Sequence, residues 1–511
     1  MFKIILEMAN NHMGSTSHAK TIISSFSEVI KKVELDAEYY VKFQYRDLDT
    51  YIREELKGKT DIHFVKRFET TRLTDTQFKE IGDYARARGF KLACTPFDSV
   101  SARKVISQNY DMIKIASACI DDWQIHETII QELSKLDKKD FEITFSTGGA
   151  SLEQIDRLAS FYNHRFTGPL NILHCVAEYP YSTNHANLAN IKRLAERFPN
   201  SSIGYSSHET PDELDLGAWA VIFGASVLEK HVGVDTDKIE NNQYTIRPQE
   251  FELWLKKIQK SVLSMGAANQ VSETELKTVH SLKRGAVFKK AFKAGSDIVE
   301  TDVMFVFPRD ENQLGPEHFG MFQPKYRLKQ DVISGQNLSL SMFEISSAPG
   351  DKANRQTIAE YVHSVKGLLR EAGISYQINA KDVELSHHYG VDKLRHFGAL
   401  LISRINNELY SKKIVAMVAG QCHPAHKHAM KDETFEVLWG HLRLIIDESQ
   451  TIDLAPGDTY RIHPNTLHSF STNTGVVFEE IATEATPGDS EYMKQNDKNR
   501  KSKLDDFWAL F

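Results

Sequence analysis

Cysteine is scarce in this chain. Four occur in 511 residues, Cys94, Cys119, Cys175 and Cys422, and three of them lie in or just after apolar, strand-like runs. So few and so scattered, they exclude a disulfide-stapled secreted scaffold and point to reduced thiols in a cytoplasmic protein. No apolar run is long enough to span a bilayer. No basic segment followed by an apolar one opens the chain, so no signal peptide is expected. Positive charge is in deficit as well. The net charge of −7 argues against a nucleic-acid or anionic-membrane partner. The remaining composition, 41% hydrophobic and 26% charged, is that of a globular protein. The length predicts two to four domains.

What is present is, first, a repeat of short β-branched runs alternating with amphipathic helical stretches. Eight such runs occur before residue 275: "KIILEMA", "YYVKFQY", "KLACTPF", "MIKIAS", "EITFST", "NILHCVA", "SSIGYSS" and "SVLEKHV". Between them, "TDTQFKEIGDYARARG" opens on a capping residue and stops at Gly89, and "SLEQIDRLASFYN" has a Ser-x-x-Gln start. Eight βα units predict a closed (β/α)8 barrel (a TIM barrel), with other doubly wound folds open as alternatives. Residues 276–346 change character: "KKAFKAGSDI" and "KQDVISGQNL" place Gly295 and Gly335 in matching positions of a small, duplicated β-rich domain. A linker and helix are expected over 347–375, with the helix near Ile358 to Glu371. A β-sandwich or barrel is expected over 376–490 and a charged tail over 491–511.

Barrel enzymes carry their chemistry at the C-terminal ends of the strands. Those ends are polar here: Glu7, Asn11 and His12; Lys42 and Gln44; Thr95; Lys114 and Ser117; Ser146 and Thr147; His174 and Tyr179; Ser206 and His208; Glu229 and His231. Each alone is an ordinary rim or hydrogen-bonded residue. Together they sort chemically. Lys42, Lys114, Thr95, Ser117, Ser146 and Ser206 suit a phosphate and a carboxylate. His208 and His231, ending adjacent strands, can share a divalent metal with Glu7 or Glu229 nearby. A metal beside a phosphorylated acid suggests Lewis-acid activation of a carbonyl.

Residues 1 to about 345 resemble the sialic acid synthase family, through "EMANNHMGS", "VKFQ", "CTPFD", "IKIAS", "STGGAS", "HCVAEYP", "IGYSSHE" and "LEKHV" in order. The resemblance implies condensation of phosphoenolpyruvate with an aldose to give a nonulosonic acid. It implies that phosphoenolpyruvate sits on Lys42, Thr95, Lys114, Ser117, Ser146 and Ser206. A divalent manganese or magnesium ion would bind His208 and His231, Glu7 would handle a proton, and Gln44 and Tyr179 would hold the sugar. It further implies that 276–346 is an antifreeze-like (SAF) domain, swapped onto the partner's barrel in a homodimer.

The departures from the family pattern fall on the sugar side. Cys119 stands where the family has Glu, Ala177 where it has Asn, and Asn241 where it has Asp. Phe307 takes the place of an Arg, with Arg309 two residues on as a substitute. The expected acceptor is therefore not plain N-acetylmannosamine. An eight-carbon ulosonate synthase and a sugar-binding protein with a non-catalytic barrel stand as alternatives.

"GQCHPAHKHAMKDETFEVLWG" spaces Gly420, His426, His428, Glu433 and Gly440 as G-x5-H-x-H-x4-E-x6-G, and a later strand supplies His468. Alternation puts His426 and His428 on one face. With Glu433 and His468 they can form a three-His, one-carboxylate site for a divalent metal. This resembles the cupin family, whose fold hosts isomerases, epimerases and plain sugar binders. His423 and His463 are expected at the rim, and Glu436 or His463 is the candidate base.

Overall fold

The computed structural model describes residues 2–136, 140–267, 270–320, 324–346, 351–374, 380–483, 489–493 and 501–503. The chain divides into two compact units, Met1–Gln270 and Val271–Phe511.

In the first unit eight parallel strands close into a barrel in sequence order. They are β1 (Phe2–Glu7), β2 (Ala37–Tyr45), β3 (Lys91–Pro96), β4 (Met112–Ile115), β5 (Glu142–Ser146), β6 (Leu170–Cys175), β7 (Ser202–Ser207) and β8 (Val227–His231). All eight apolar runs of the sequence are strands, and β1 pairs with both β2 and β8, which removes the sheet edge. Helices between the strands start where the sequence signals them. Thr74 with Gln77, and Ser151 with Gln154, form reciprocal capping boxes. Gly89 adopts a left-handed φ of 85° just past helix Asp75–Arg86.

Alternation along each strand sorts side chains between the inside and the helix layer. The barrel interior is layered. At its floor, Glu142 accepts from Lys3 (2.6 Å), Tyr40 (2.9 Å) and Asn171 (2.9 Å). Above lies an apolar plug of Ile5, Tyr40, Ala93, Met112, Leu173 and Val227. Gly204 belongs to this crowded level, because a Cβ there would lie 2.2 Å from the Val227 carbonyl oxygen. The plug is dry and close-packed, each fully buried large side chain contributing roughly 2 kcal/mol. It separates that polar floor from the polar residues of the C-terminal mouth. The complementary faces, including Ile4, Leu6, Val41 and Phe43, pack beneath the helices in one continuous core.

The second unit begins with the duplicated piece. Strands Gly285–Phe288 and Val303–Val306 pair antiparallel, as do Lys325–Leu328 and Phe343–Ser346. The two copies meet through Phe292 and Val332, which exchange backbone hydrogen bonds at 3.1 and 2.9 Å. Gly295 and Gly335 both have positive φ, 85° and 78°, as their matching positions require.

The helix that follows runs Asp351–Glu371, so it starts earlier than the Ile358 expected from sequence. The segment read as linker is rich in Lys, Ala, Arg and Gln, which are good helix formers. Ile358, Tyr361, Val362, Val365 and Leu369 of this helix pack with Leu385, Leu400 and Ile414 of a seven-stranded sheet. A second apolar core includes Phe435, Val437, Leu444, Phe470 and Phe478, drawn from that sheet and from a five-stranded one. The charged tail is partly structured. Ser490–Tyr492 pairs with Cys422–His428, and Lys501–Lys503 with Val383–His387. Trp508 and Phe511 lie outside the described residues. No described helix is long and apolar enough to cross a membrane.

Candidate functional site

Register brings the strand-end residues together. Glu7 is level with Lys42 on one side and His231 on the other, Gln44 is level with Thr95, and Ser206 with Glu229. Their side chains form one buried network. Glu229 accepts from Lys114 (3.0 Å) and Ser206 (2.9 Å) and forms an ion pair with Lys42 (3.0 Å). Lys42 also contacts Glu7 and donates to Thr95 Oγ1 (3.3 Å). Burial alone would push the Glu229 carboxyl up, but the Lys114 and Lys42 ammoniums outweigh it and hold it well below the usual carboxylate range. Burial pushes Glu7 up, and Lys42 only partly offsets this. Two neighbouring carboxylates thus differ in proton affinity, Glu7 being the one suited to exchange a proton.

Ser146 Oγ is buried in this mouth with no hydrogen-bond partner among the described residues. Ser117 Oγ accepts from the Gly148 amide at 3.0 Å. His208 and His231 lie 5.3 Å apart between ring centroids. Burial lowers both, His208 to about 4, so both are neutral imidazoles near neutral pH. His208 Nδ1 donates to the Val176 carbonyl (3.0 Å), which leaves Nε2 as a lone pair. Two neutral, neighbouring imidazoles fit a divalent metal.

The sugar-side residues are spread more widely. Tyr179 is 55% exposed and its ring stands 4.3 Å from His208. Gln44 Oε1 accepts from Arg46 (3.0 Å). Asn241 donates to Asp235 (2.6 Å), and its own Oδ1 is buried without a hydrogen-bond partner among the described residues. Arg309 belongs to the second unit. There its Nε donates to the Gln313 carbonyl (2.7 Å) and its Nη1 meets Glu317. Sequence reasoning missed Tyr244, whose ring packs on His231 (5.0 Å) and His208 (6.0 Å). It also missed Arg46 and Arg67. Arg46 just past a strand reads as a solvated rim residue and Arg67 as a solvated helix residue, so neither carried a signal by itself.

The second candidate site lies on the inner strands of the second unit. Ligand atoms of His426, His428, Glu433 and His468 all lie within 4.8 Å of one another, and all four residues are buried. His426 Nδ1 donates to the Pro424 carbonyl (3.0 Å) and His468 Nδ1 to Thr466 (3.1 Å), so both Nε2 atoms carry lone pairs. His468 Nε2 stands 2.9 Å from Glu433 Oε1. A proton or a metal ion between the two would relieve that contact, and with His426 and His428 grouped beside it the donor set fits a metal. Lys431 binds the other oxygen of Glu433 and reaches Glu480 at 2.7 Å, fixing the carboxylate.

His423 is not a rim residue. A β-bulge between His423 and His426 turns it inward, where it is buried and meets His388 Nε2 to Nε2 at 2.9 Å. His463 is at the rim, with its side chain 65% exposed. Glu436 lies on the strand face opposite Glu433. Neither of the two candidate bases is grouped with the four ligands.

A closed parallel barrel with a buried two-lysine, two-carboxylate mouth and an adjacent imidazole pair, joined in one chain to a four-ligand β domain, defines a two-site α/β protein. The NeuB family profile matches residues 29–270, and a cupin domain profile matches residues 413–479. A crystal structure of a candidate spore coat polysaccharide biosynthesis protein E from Chromobacterium violaceum is 36% identical. It covers 67% of this chain and 100% of that one, with a TM-score of 0.62. The N,N'-diacetyllegionaminic acid synthase of Campylobacter jejuni is 26% identical over 300 residues, 57% of this chain and 86% of that protein. The N-acetylneuraminate-9-phosphate synthase of Mus musculus is 25% identical over 307 residues, 58% of this chain and 80% of that one. The chain belongs to the NeuB family and carries a C-terminal cupin domain.

Proposed function

We propose that the barrel condenses phosphoenolpyruvate with an aldose other than plain N-acetylmannosamine, giving a sialic-acid-like 3-deoxy-2-ulosonic acid and phosphate. The observation that carries this reading is the sharing of one buried carboxylate, Glu229, by Lys42 and Lys114 at 3.0 Å each. Two ammoniums against one firmly ionised carboxylate form a cradle for an anion, and Ser146 Oγ and Thr95 supply hydroxyls beside it. Lys42, Thr95, Lys114, Ser117, Ser146 and Ser206 hold the phosphate and carboxylate of phosphoenolpyruvate. Gln44, Tyr179 and Asn241 orient the aldose, and Arg309 joins them only by exchanging Glu317 for the sugar. Glu7 holds or releases the proton of the reacting oxygen through its raised carboxyl. His208 and His231 would hold a manganese or magnesium ion, which when bound supplies Lewis-acid polarisation of the aldehyde.

The same reading makes the protein a homodimer in which the small domain of residues 276–346 serves the partner's barrel. The cupin site holds its own divalent metal and binds or isomerises a sugar of the same route. The test is phosphate release from phosphoenolpyruvate with a panel of aldoses, products identified by mass spectrometry. Failure of every aldose to release phosphate, with metal present, sinks the synthase reading.

A further inference from the structure

Among the arginines in the connections that follow β2 and β8, on the side of the mouth, four sort into two kinds. Arg72 forks onto Asp49 at 2.9 and 2.8 Å, and Arg247 reaches Asp235 at 2.8 Å. Arg46 and Arg67 have no carboxylate partner among the described residues and donate to side-chain amide oxygens instead. The Arg46 guanidinium carbon lies over the rings of Phe68 (4.0 Å) and Phe97 (3.7 Å), with Nη2 on Gln44 Oε1 at 3.0 Å. Arg67 donates to Asn11 and Asn242, each at 3.4 Å. Asn242 in turn donates to the Tyr244 hydroxyl (3.0 Å), and the Tyr244 ring packs against His231.

Packing a guanidinium over two rings restrains it and leaves its N–H groups to make hydrogen bonds. Arg46 lines a small cavity of about 40 Å³ together with Gln44, His12 and Asn10. The fold does not need the charge, because no ion pair depends on it. The lysines of the mouth already face Glu7 and Glu229 and, with a divalent cation at the imidazole pair, answer one anionic substrate. Two further uncompensated guanidiniums, in a chain of net charge −7, call for a second anion.

We propose that the acceptor aldose is itself anionic, bearing a phosphate ester or a carboxylate, and that Arg46 and Arg67 receive that group. The inference rests on the synthase reading of the barrel and names the substrate class of the same site. The planar, forked guanidinium suits either anion, so the experiment separates them.

The full chain, with manganese and phosphoenolpyruvate, is offered N-acetylmannosamine, N-acetylmannosamine 6-phosphate and N-acetylmannosaminuronic acid. Phosphate release gives kcat/KM, and calorimetry gives the affinity of each sugar without turnover. One of the two anionic sugars is expected to exceed the neutral one by about 10-fold or more in both readouts. Arg46→Gln and Arg67→Gln should each raise the KM and Kd of that sugar by about 10-fold while the KM of phosphoenolpyruvate stays within about 2-fold. Arg46→Lys should recover only part, because an ammonium has no plane to stack. Equal use of neutral and anionic sugars, or an effect of the variants on phosphoenolpyruvate alone, overturns the proposal. If no sugar releases phosphate, the synthase reading fails. The calorimetric arm then still decides: anionic-sugar binding lost in Arg46→Gln supports the site, and binding that is unchanged or absent throughout overturns it.

Discussion

His468 Nε2 faces Glu433 Oε1 at 2.9 Å while the same imidazole gives its Nδ1 hydrogen to the Thr466 carbonyl. A metal ion resolves that juxtaposition, and the barrel offers a second, separate pair in His208 and His231. We expect about two equivalents of divalent metal per chain, from one ion at each site. The double variant His426→Ala/His428→Ala should lose about one of them and keep barrel turnover. His208→Ala should lose the other and lose turnover, since an ion at a developing alkoxide is worth several kcal/mol. Metal analysis by mass spectrometry on dialysed protein checks both. A cupin variant with a full metal load shows that site to be structural.

Glu229 is the hinge of the mouth's electrostatics. Replacing it with Gln leaves Lys114 buried without its carboxylate and should destabilise the protein by about 3 kcal/mol. Phosphoenolpyruvate would then neutralise a bare ammonium. Its thermal stabilisation should be larger in Glu229→Gln than in the parent chain. Ligand-induced Tm shifts that match in the two proteins would contradict an anion cradle built on Lys42 and Lys114.

His12 gives a pH signature. Burial, with smaller contributions from His18 and Arg67, lowers it to about 4 from an ordinary value near 6.5. The folded state therefore holds the proton less tightly than the unfolded one. Its contribution to stability is complete above pH 6.5 and is lost as the pH falls toward 4, by about 3 kcal/mol in all. Denaturation of the parent and His12→Asn chains at pH 7 and 4.5 measures this, and the variant should show the smaller loss. Parallel losses would remove His12 from the account.

Much of the barrel site was legible because strand alternation is rigid. Once β1 to β8 are placed, Glu7, Lys42, Lys114 and Glu229 must all point inward. The cupin quartet was legible for the same reason, His426 and His428 being two apart on one strand. What escaped depends on geometry that spacing does not encode. His423 is three residues from His426, so alternation sends it outward, and only the bulge returns it. Arg46 looks like a rim residue until Phe68, further along its own connection, and Phe97, just past β3, bring their rings against it. The charged tail offered no strand signal because its strands pair at long range, Tyr492 with His426 and Ser502 with Leu385.

Phe307 is 61% exposed and Met304, three residues before it, 50% exposed, two apolar side chains on the surface of the small domain. If the small domain of one subunit serves the barrel of the other, catalysis needs one intact barrel and one intact small domain, from different chains. Lys42→Ala inactivates the barrel and leaves the small domain whole. Phe307→Asp does the reverse, placing a charge where one of those apolar side chains stood. Each homodimer should turn over at least about 10-fold more slowly than the parent, a loss of about 1.4 kcal/mol in transition-state stabilisation. Mixed and allowed to exchange subunits, the two variants form heterodimers in which the sound barrel meets the sound small domain. Activity should then rise toward about a quarter of the parent value, because half the dimers are mixed and each has one working site. Sedimentation should give dimers throughout. Phosphate release that stays at the sum of the two variants, after exchange is verified with differently tagged chains, shows that each small domain serves its own barrel or none.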